Sequence, residues 1–266
     1  MYYKNFISRF ILRKNFIKRV KMRLTQENRK LFKNEYDDMV FLFKKLKRNP
    51  KIIFDCGANV GFVTYQFNKN FPNSLIYAFE PNPQVYKVLC KESIKQPNKI
   101  FTYNLGIGED NSKLDFYKNN NTGTSSFLKP NDFHMSHLAR KHEIITVPII
   151  KIEEFCNENS IENIGILKLD IEGYELKALK GCLKLLENNK IDFIYAEVNL
   201  VPTYEGQCLM EEVVSFLRKL NYIPYNIYGN NETKLRESFI TNILFISSQV
   251  AKELNNLEGN NSVFTN

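Results

Sequence analysis

The sequence predicts an α/β fold: a mostly parallel, doubly wound sheet that ends in a C-terminal antiparallel hairpin and is preceded by an N-terminal helical arm. Three observations carry this expectation. From Lys51 onward, short apolar runs of strand length alternate with segments of helical period, the pattern of a parallel sheet with helices on both faces. Several of those runs end directly on glycine or an acid, as in Asp55-Cys56-Gly57, Phe79-Glu80 and Leu169-Asp170. Positive charge is crowded before residue 51, where 15 Lys/Arg meet 4 Asp/Glu, while the rest of the chain holds 22 against 25. The basic character therefore belongs to the arm, and the body is nearly neutral.

The arm, residues 1–48, reads as helical. Phe6, Phe10, Ile17, Val20 and Leu24 fall on roughly one face, and Lys4, Arg9, Lys14, Lys18, Arg19, Lys21 and Arg23 fill much of the rest. The favoured reading is an apolar stripe that packs on the main domain or a second subunit. The alternative is a basic amphipathic helix on an anionic membrane surface. Met39 to Leu46 reads as a further helix leading into the domain, ended by Asn49-Pro50. The arm is expected to be separable from the fold.

The domain, residues 49–248, begins with a buried strand over 51–56 and a helix over 60–69. A second strand over 74–80, a helix over 83–94 and a third strand with its turn over 99–108 follow. Strands at 113–117 and 144–150 flank a polar loop, Lys118 to Lys141, of the kind that often serves a ligand. The alternation then resumes: helix 151–158, strand 164–171, helix 174–187, strand 192–198 and helix 207–220. The strands 222–228 and 239–246 form the closing hairpin. Residues 249–266 are expected to be a frayed polar tail.

At 266 residues the chain has room for one large α/β domain with appendages. Its five cysteines are odd in number and include no C-x-x-C pair, which argues for a reducing compartment and against disulfides or a zinc site. No run approaches the ~20 apolar residues of a membrane span. The apolar run Phe10–Leu12 is too short for a secretory signal. A cytoplasmic protein is expected, with any membrane association left to the arm.

Ligands of open α/β sheets bind beyond the carboxyl ends of the strands, where the strand order reverses. After the first strand stand Asp55, Gly57, Asn59 and Gly61, spaced G-x-x-x-G and not as the G-x-G-x-x-G of dinucleotide enzymes. S-adenosylmethionine carries no phosphate, and its methionine end suits a strand-end acid with open backbone groups, so that cofactor is expected. Glu80, after the second strand, is placed to accept hydrogen bonds from two ribose hydroxyls. Asn104, after the third, borders the adenine edge or simply makes a turn. After the strand at 164–171, Lys168, Asp170 and Glu172 alternate with Leu167, Leu169 and Ile171 and so share one face. These acids can hold a ligand ammonium or take a hydroxyl proton. Alternatively, Lys168 pairs internally with a Glu, and Glu175 only complements a helix dipole. Glu197 is a further strand-end acid aimed at the same cleft.

The segments Ile52–Thr64, Tyr77–Pro83 and Ile166–Gly181, in this order and spacing, resemble the FkbM family of methyltransferases. The resemblance covers roughly Lys51 to Ser247. It implies a Rossmann-like, class I methyltransferase fold and O-methylation of sugars and natural products. It also implies cofactor contacts at Asp55, Gly57 and Glu80, and a cleft motif at Asp170, Glu172 and Gly173. Gly123–Phe127 resembles the small-residue turn found in the middle of such proteins. The basic arm lies outside the family pattern.

His134, His137 and His142 sit in or beside the central loop, and their spacing alone does not fix a ligand geometry, so no metal site is expected. They read as surface residues, with a general base as the alternative. The expected activity is O-methylation of a saccharide or glycan precursor, with Asp170, Glu172 and Glu197 as candidate catalytic acids. Weighed against it are a nucleic-acid methyltransferase gripping phosphates with the arm, a nicotinamide dehydrogenase and a catalytically dead module at a membrane surface. The slightly acidic body disfavours nucleic acid, the loop spacing disfavours nicotinamide, and the intact strand-end acids disfavour a dead fold.

Overall fold

The computed structural model describes residues 34–95, 99–131, 142–229 and 240–258. Among the described residues the first helix, α1 (Glu35–Lys45), is capped by Asn34, whose side chain accepts from the Asp37 N–H at 3.0 Å. Acids fill its first turn and lysines its last, as the helix dipole favours. Then come β1 (Ile52–Cys56), α2 (Phe62–Asn70), β2 (Leu75–Phe79), α3 (Pro83–Ser93) and β3 (Ile100–Tyr103). Short β4 (Gly106–Ile107), β5 (Ser112–Asn119), a 3₁₀ turn (Thr122–Thr124) and β6 (His142–Ile150) form the middle of the chain. The remainder is α4 (Ile152–Glu158), β7 (Ile164–Leu169), α5 (Glu175–Lys180), α6 (Leu183–Glu187), β8 (Ile191–Asn199), α7 (Met210–Lys219), β9 (Tyr222–Tyr228), β10 (Ile240–Ser247) and α8 (Ser248–Glu258).

Seven strands form the main sheet in the order β3-β2-β1-β7-β8-β10-β9. All neighbours pair in parallel except β10, which runs antiparallel to both β8 and β9. The fold is thus Rossmann-like α/β with the closing hairpin at one edge. Strand order reverses between β1 and β7, so a crevice opens beyond their carboxyl ends. On one face, Phe54, Leu167, Leu169 and Ile194 pack with Phe155, Leu179, Leu186 and Leu217 from the helices α4 to α7. On the other, Ile53, Ile166, Phe193, Leu244 and Ile246 meet Met39, Leu42 and Phe43 of α1.

Four expectations change here. First, the chain from Asn34 onward is part of the domain and not a separable arm. Met39, Leu42 and Phe43 are fully buried, the Phe43 and Phe193 ring centroids lie 4.5 Å apart, and Arg48 reaches Asp192 at 2.6 Å. Residues 1–33, which carry the basic stripe, lie outside the described residues. Second, the expected polar tail begins as helix α8, with Val250, Ala251 and Leu254 buried in the same core as α1. Third, the strand and turn expected over 99–108 hold two strands that belong to different sheets. The Asn104 side chain donates to the Glu80 and Pro81 carbonyls at 2.8 and 2.9 Å, and the chain leaves the main sheet there. Residues 106–107 instead join β5 and β6 in a second sheet, ordered β4-β6-β5. Fourth, the helix expected over 174–187 breaks at Gly181, where a Cβ would sit 2.0 Å from the Gly108 carbonyl oxygen. The poor helix propensity of glycine and the close passage of the chain after β4 meet at that break.

Candidate active site

A cleft opens at the strand-order reversal. Its floor is the ends of β1, β2, β7 and β8, and the 3₁₀ turn after β5 walls one side. Gly57 sits where β1 and β7 end together. Its φ is +79°, and a Cβ would lie 1.9 Å from the Asp170 carbonyl oxygen, while the Asp170 N–H bonds to the Cys56 carbonyl at 3.2 Å. Any side chain at position 57 would force the two loops apart. Asn59, also left-handed at φ +49°, faces Thr122 of the opposite wall with its amide nitrogen 3.4 Å from the hydroxyl.

Glu80 lines this half of the cleft from the end of β2. One carboxylate oxygen accepts the Asn59 N–H at 2.9 Å and the other the Asn82 N–H at 2.8 Å. Burial nevertheless pushes its pKa up to about 7, because these two bonds only partly offset the loss of solvent. Each oxygen keeps acceptor capacity for a second donor.

Three residues expected to touch a cofactor do not line this cleft. Asp55 is fully buried; one oxygen accepts the Thr64 hydroxyl at 2.6 Å and the other pairs with Lys168 Nζ at 3.0 Å. The internal pairing weighed for Lys168 is with a glutamate; the lysine pairs with Asp55 instead. Nζ also donates to the Gly57 carbonyl at 2.9 Å and stands 3.5 Å from Asp170. Burial opposes the lysine's charge, but Asp55 and Asp170 outweigh it and hold its pKa above the usual value. Gly61 caps α2 at φ +94° and packs against Leu89 and Tyr65. Asn104 spends its amide on the backbone after β2.

Asp170, Glu172 and Glu197 converge on the other half. One carboxylate oxygen from each lies within 4.8 Å of the others. Glu172 has the left-handed backbone of φ +54°, a conformation that costs a non-glycine residue about 1–3 kcal/mol. Ser126 holds it by donating to its carbonyl at 2.7 Å, and the Tyr204 hydroxyl lies 2.8 Å from its carboxylate. Burial, and then the charge of Asp170, push the Glu172 pKa up to about 8. The same two causes, in that order, and the charges of Glu172 and Glu175 raise Glu197 well above the carboxylate range. The set is all oxygen, the donor type that hard divalent cations take; a metal was not expected from the sequence. Glu175 does not line the cleft. It is buried and folds back on its own loop, accepting the Ile171 and Gly173 N–H groups at 3.0 and 3.3 Å, and burial lifts its pKa to about 7.

Sequence reasoning missed Tyr204. It lies in a stretch without periodicity, and nothing around it marks a buried tyrosine. The turn Gly123–Phe127 was visible as a run of small residues, but its grip on Glu172 through Ser126 was not. His134 and His137 lie outside the described residues. His142 opens β6 and is exposed, its ring 5.3 Å from that of Tyr117. Among the described residues, no helix is long and apolar enough to cross a membrane.

The profile of the methyltransferase FkbM domain matches residues 55–224. The 2-O-methyltransferase NoeI of Sinorhizobium fredii is 25% identical over 197 residues, 70% of this chain and 79% of that protein. The hexuronic acid methyltransferase AglP of Haloferax volcanii is 21% identical over 162 residues, 61% of this chain and 62% of that protein. A solved structure, a methyltransferase FkbM from Methylobacillus flagellatus, aligns at a TM-score of 0.49 and 16% identity, over 74% of this chain and 43% of that one.

Proposed function

Because the chain belongs to the FkbM family of methyltransferases, we propose that it methylates a hydroxyl group of a saccharide or glycan precursor. The enzyme is an S-adenosylmethionine-dependent methyltransferase. The acceptor is the added step. It is supported by the relatives, one named for a hexuronic acid and one for 2-O-methylation, and by the acids of the cleft.

The residues present fit the cofactor. Glu80 offers acceptor oxygens for a ribose diol, and Gly57 and Asn59 line the cleft beside it. S-adenosylmethionine supplies a methyl group on a positively charged sulfur, already activated for transfer. The protein's share is orientation and the acceptor's proton.

The observation that carries O-methylation is the convergence of Asp170, Glu172 and Glu197 within 4.8 Å at the open end of the cleft. Carboxylates this close do not all ionise near neutrality. Burial and then the charge of Asp170 raise both Glu172 and Glu197, while Asp170, whose side chain is 37% exposed, faces the cleft. An incoming hydroxyl then has a carboxylate to take its proton and two carboxylic acids to fix its orientation.

The test has two steps. S-adenosylmethionine or S-adenosylhomocysteine should raise the melting temperature and NAD should not, the gain being about 2.7 kcal/mol at ~100-fold excess over the dissociation constant. Transfer of labelled methyl should then be measured on hexuronic acids, neutral sugars and glycan precursors. Stabilisation by NAD alone would sink the cofactor assignment. Label found on nitrogen or on nucleic acid, with none on saccharides, would sink the acceptor assignment.

A further inference from the structure

Tyr204 is 1% exposed, yet it stands in a loop between β8 and α7. That loop is built to carry it. The Gln207 side-chain oxygen accepts the Thr203 and Tyr204 N–H groups at 2.7 and 3.1 Å. The loop also pairs with the strand segment after the 3₁₀ turn: Asn131 N–H donates to the Thr203 carbonyl at 2.9 Å, and Glu205 N–H to the Lys129 carbonyl at 2.8 Å. At its tip, the Tyr204 hydroxyl stands 2.8 Å from the Glu172 carboxylate and 2.9 Å from the Thr124 carbonyl.

We propose that Tyr204 is a positioning residue for methyl transfer: its hydroxyl joins the Glu172 carboxyl to the Thr122–Thr124 turn, so that one acid and one wall of the cleft are held as a unit. The role rests on the methyltransferase reading above. The phenol has one proton and two acceptors beside it. When Glu172 is protonated, the carboxyl donates to the phenol oxygen and the phenol donates to the Thr124 carbonyl, so the chain of bonds closes. When Glu172 ionises, the phenol proton turns to the carboxylate, and the Thr124 carbonyl keeps only the Asn119 amide, which donates to it at 2.6 Å. The turn that walls the cleft is thereby tied to the charge of Glu172. The other groups acting on that charge are Asp170 and Lys168 from β7 and its end, Glu175 from α5 and Glu197 from β8; the last two carboxyls and Asp170 oppose ionisation, and Lys168 favours it.

The experiment follows the Glu172 carboxyl carbon by ¹³C NMR in the ligand-free full chain, the signal being assigned with Glu172→Gln. Tyr204→Phe removes the donor to the ionised form, so the Glu172 midpoint should rise by about one pH unit. 3-Fluorotyrosine at position 204, a stronger donor of nearly the same shape, should lower it, and this variant serves if Tyr204→Phe does not fold. On a confirmed acceptor, Tyr204→Phe should lower kcat on the order of 10-fold, with the Kd for S-adenosylmethionine within about twofold of the native value. In the Glu172→Gln background its effect should vanish. An unmoved titration midpoint in both tyrosine variants, or an undiminished effect of Tyr204→Phe when combined with Glu172→Gln, would overturn the proposal. Failure of the native protein to bind S-adenosylmethionine would instead overturn the methyltransferase reading and leave the titration result standing.

Discussion

Asp170 and Glu175 belong to one short acidic run, and the fold gives them opposite surroundings. Asp170 faces the cleft with its side chain 37% exposed, and Glu175 is 3% exposed and bonded to the backbone of its own loop. Asp170→Asn keeps the shape and removes the charge, so the fold should survive while methyl transfer falls by about 10²-fold or more, the scale of a lost acid–base group. Glu175→Ala should do the reverse. It orphans two backbone N–H groups and should lower stability by about 1–3 kcal/mol in urea titrations, with a smaller loss of rate. Comparable activity of Asp170→Asn and the native enzyme on a confirmed acceptor would move the base to Glu197 or Glu172. At this scale the sequence was only partly legible. Strand alternation put Lys168, Asp170 and Glu172 on one face. It carried no information on which acid Lys168 would claim, because Asp55, 113 positions earlier, enters only through the pairing of β1 with β7. The placing of Glu80 at the end of the second strand was legible, but its bond from the Asn59 N–H was not, because it too enters only through the pairing of β1 with β2.

Among the elements, α1 gives the sharpest contrast between pattern and packing. The apolar run from Met39 to Leu46 signals a helix, and a helix stands there. An amphipathic pattern does not name the surface it covers, so the boundary drawn at residue 48 cut through the domain. Met39, Leu42 and Phe43 are each buried to within 2%. Losing a buried side chain of this size typically costs about 2–5 kcal/mol, and three together match the whole stability of an ordinary domain, about 5–15 kcal/mol. A chain starting at residue 49 should therefore lack a cooperative urea transition, whereas one starting at Asn34 keeps every described contact and should bind S-adenosylmethionine. Cooperative unfolding of the shorter chain would show that α1 is dispensable. The strands, in contrast, were found within one or two residues, because apolar runs closed by glycine, proline or an acid leave little choice. The break at Gly181 and the departure of residues 106–107 from the main sheet were not legible, since both arise where two distant stretches of backbone pass each other.

For the molecule as a whole, three buried carboxyls act together. Glu80 and Glu175 are raised to about 7 and Glu172 to about 8, from an ordinary value of 4.5. Between pH 4.5 and 8 the folded protein holds protons that the unfolded chain has released, so their contribution to stability is complete below pH 4.5 and is lost as pH rises through 7 to 8. The ligand-free melting temperature should fall from pH 5 to pH 8, and Glu172→Gln should make that fall shallower. A melting temperature that climbs over this interval would show that the acids are ionised in the fold. The alternation of strands and helices made the parallel sheet legible, and the final two apolar runs made the hairpin legible, but the order in space has a consequence in time. The last strand, β10, lies inside the sheet between β8 and β9. A ribosome completes ~5–20 residues per second, so for a few seconds after β8 emerges, its outer edge has no neighbour. That edge runs through Phe193, Ile194, Tyr195 and Ala196. Until residue 247 is made, the nascent chain offers an open, apolar strand to whatever else is nearby, and it is during synthesis that this protein is most exposed to aggregation.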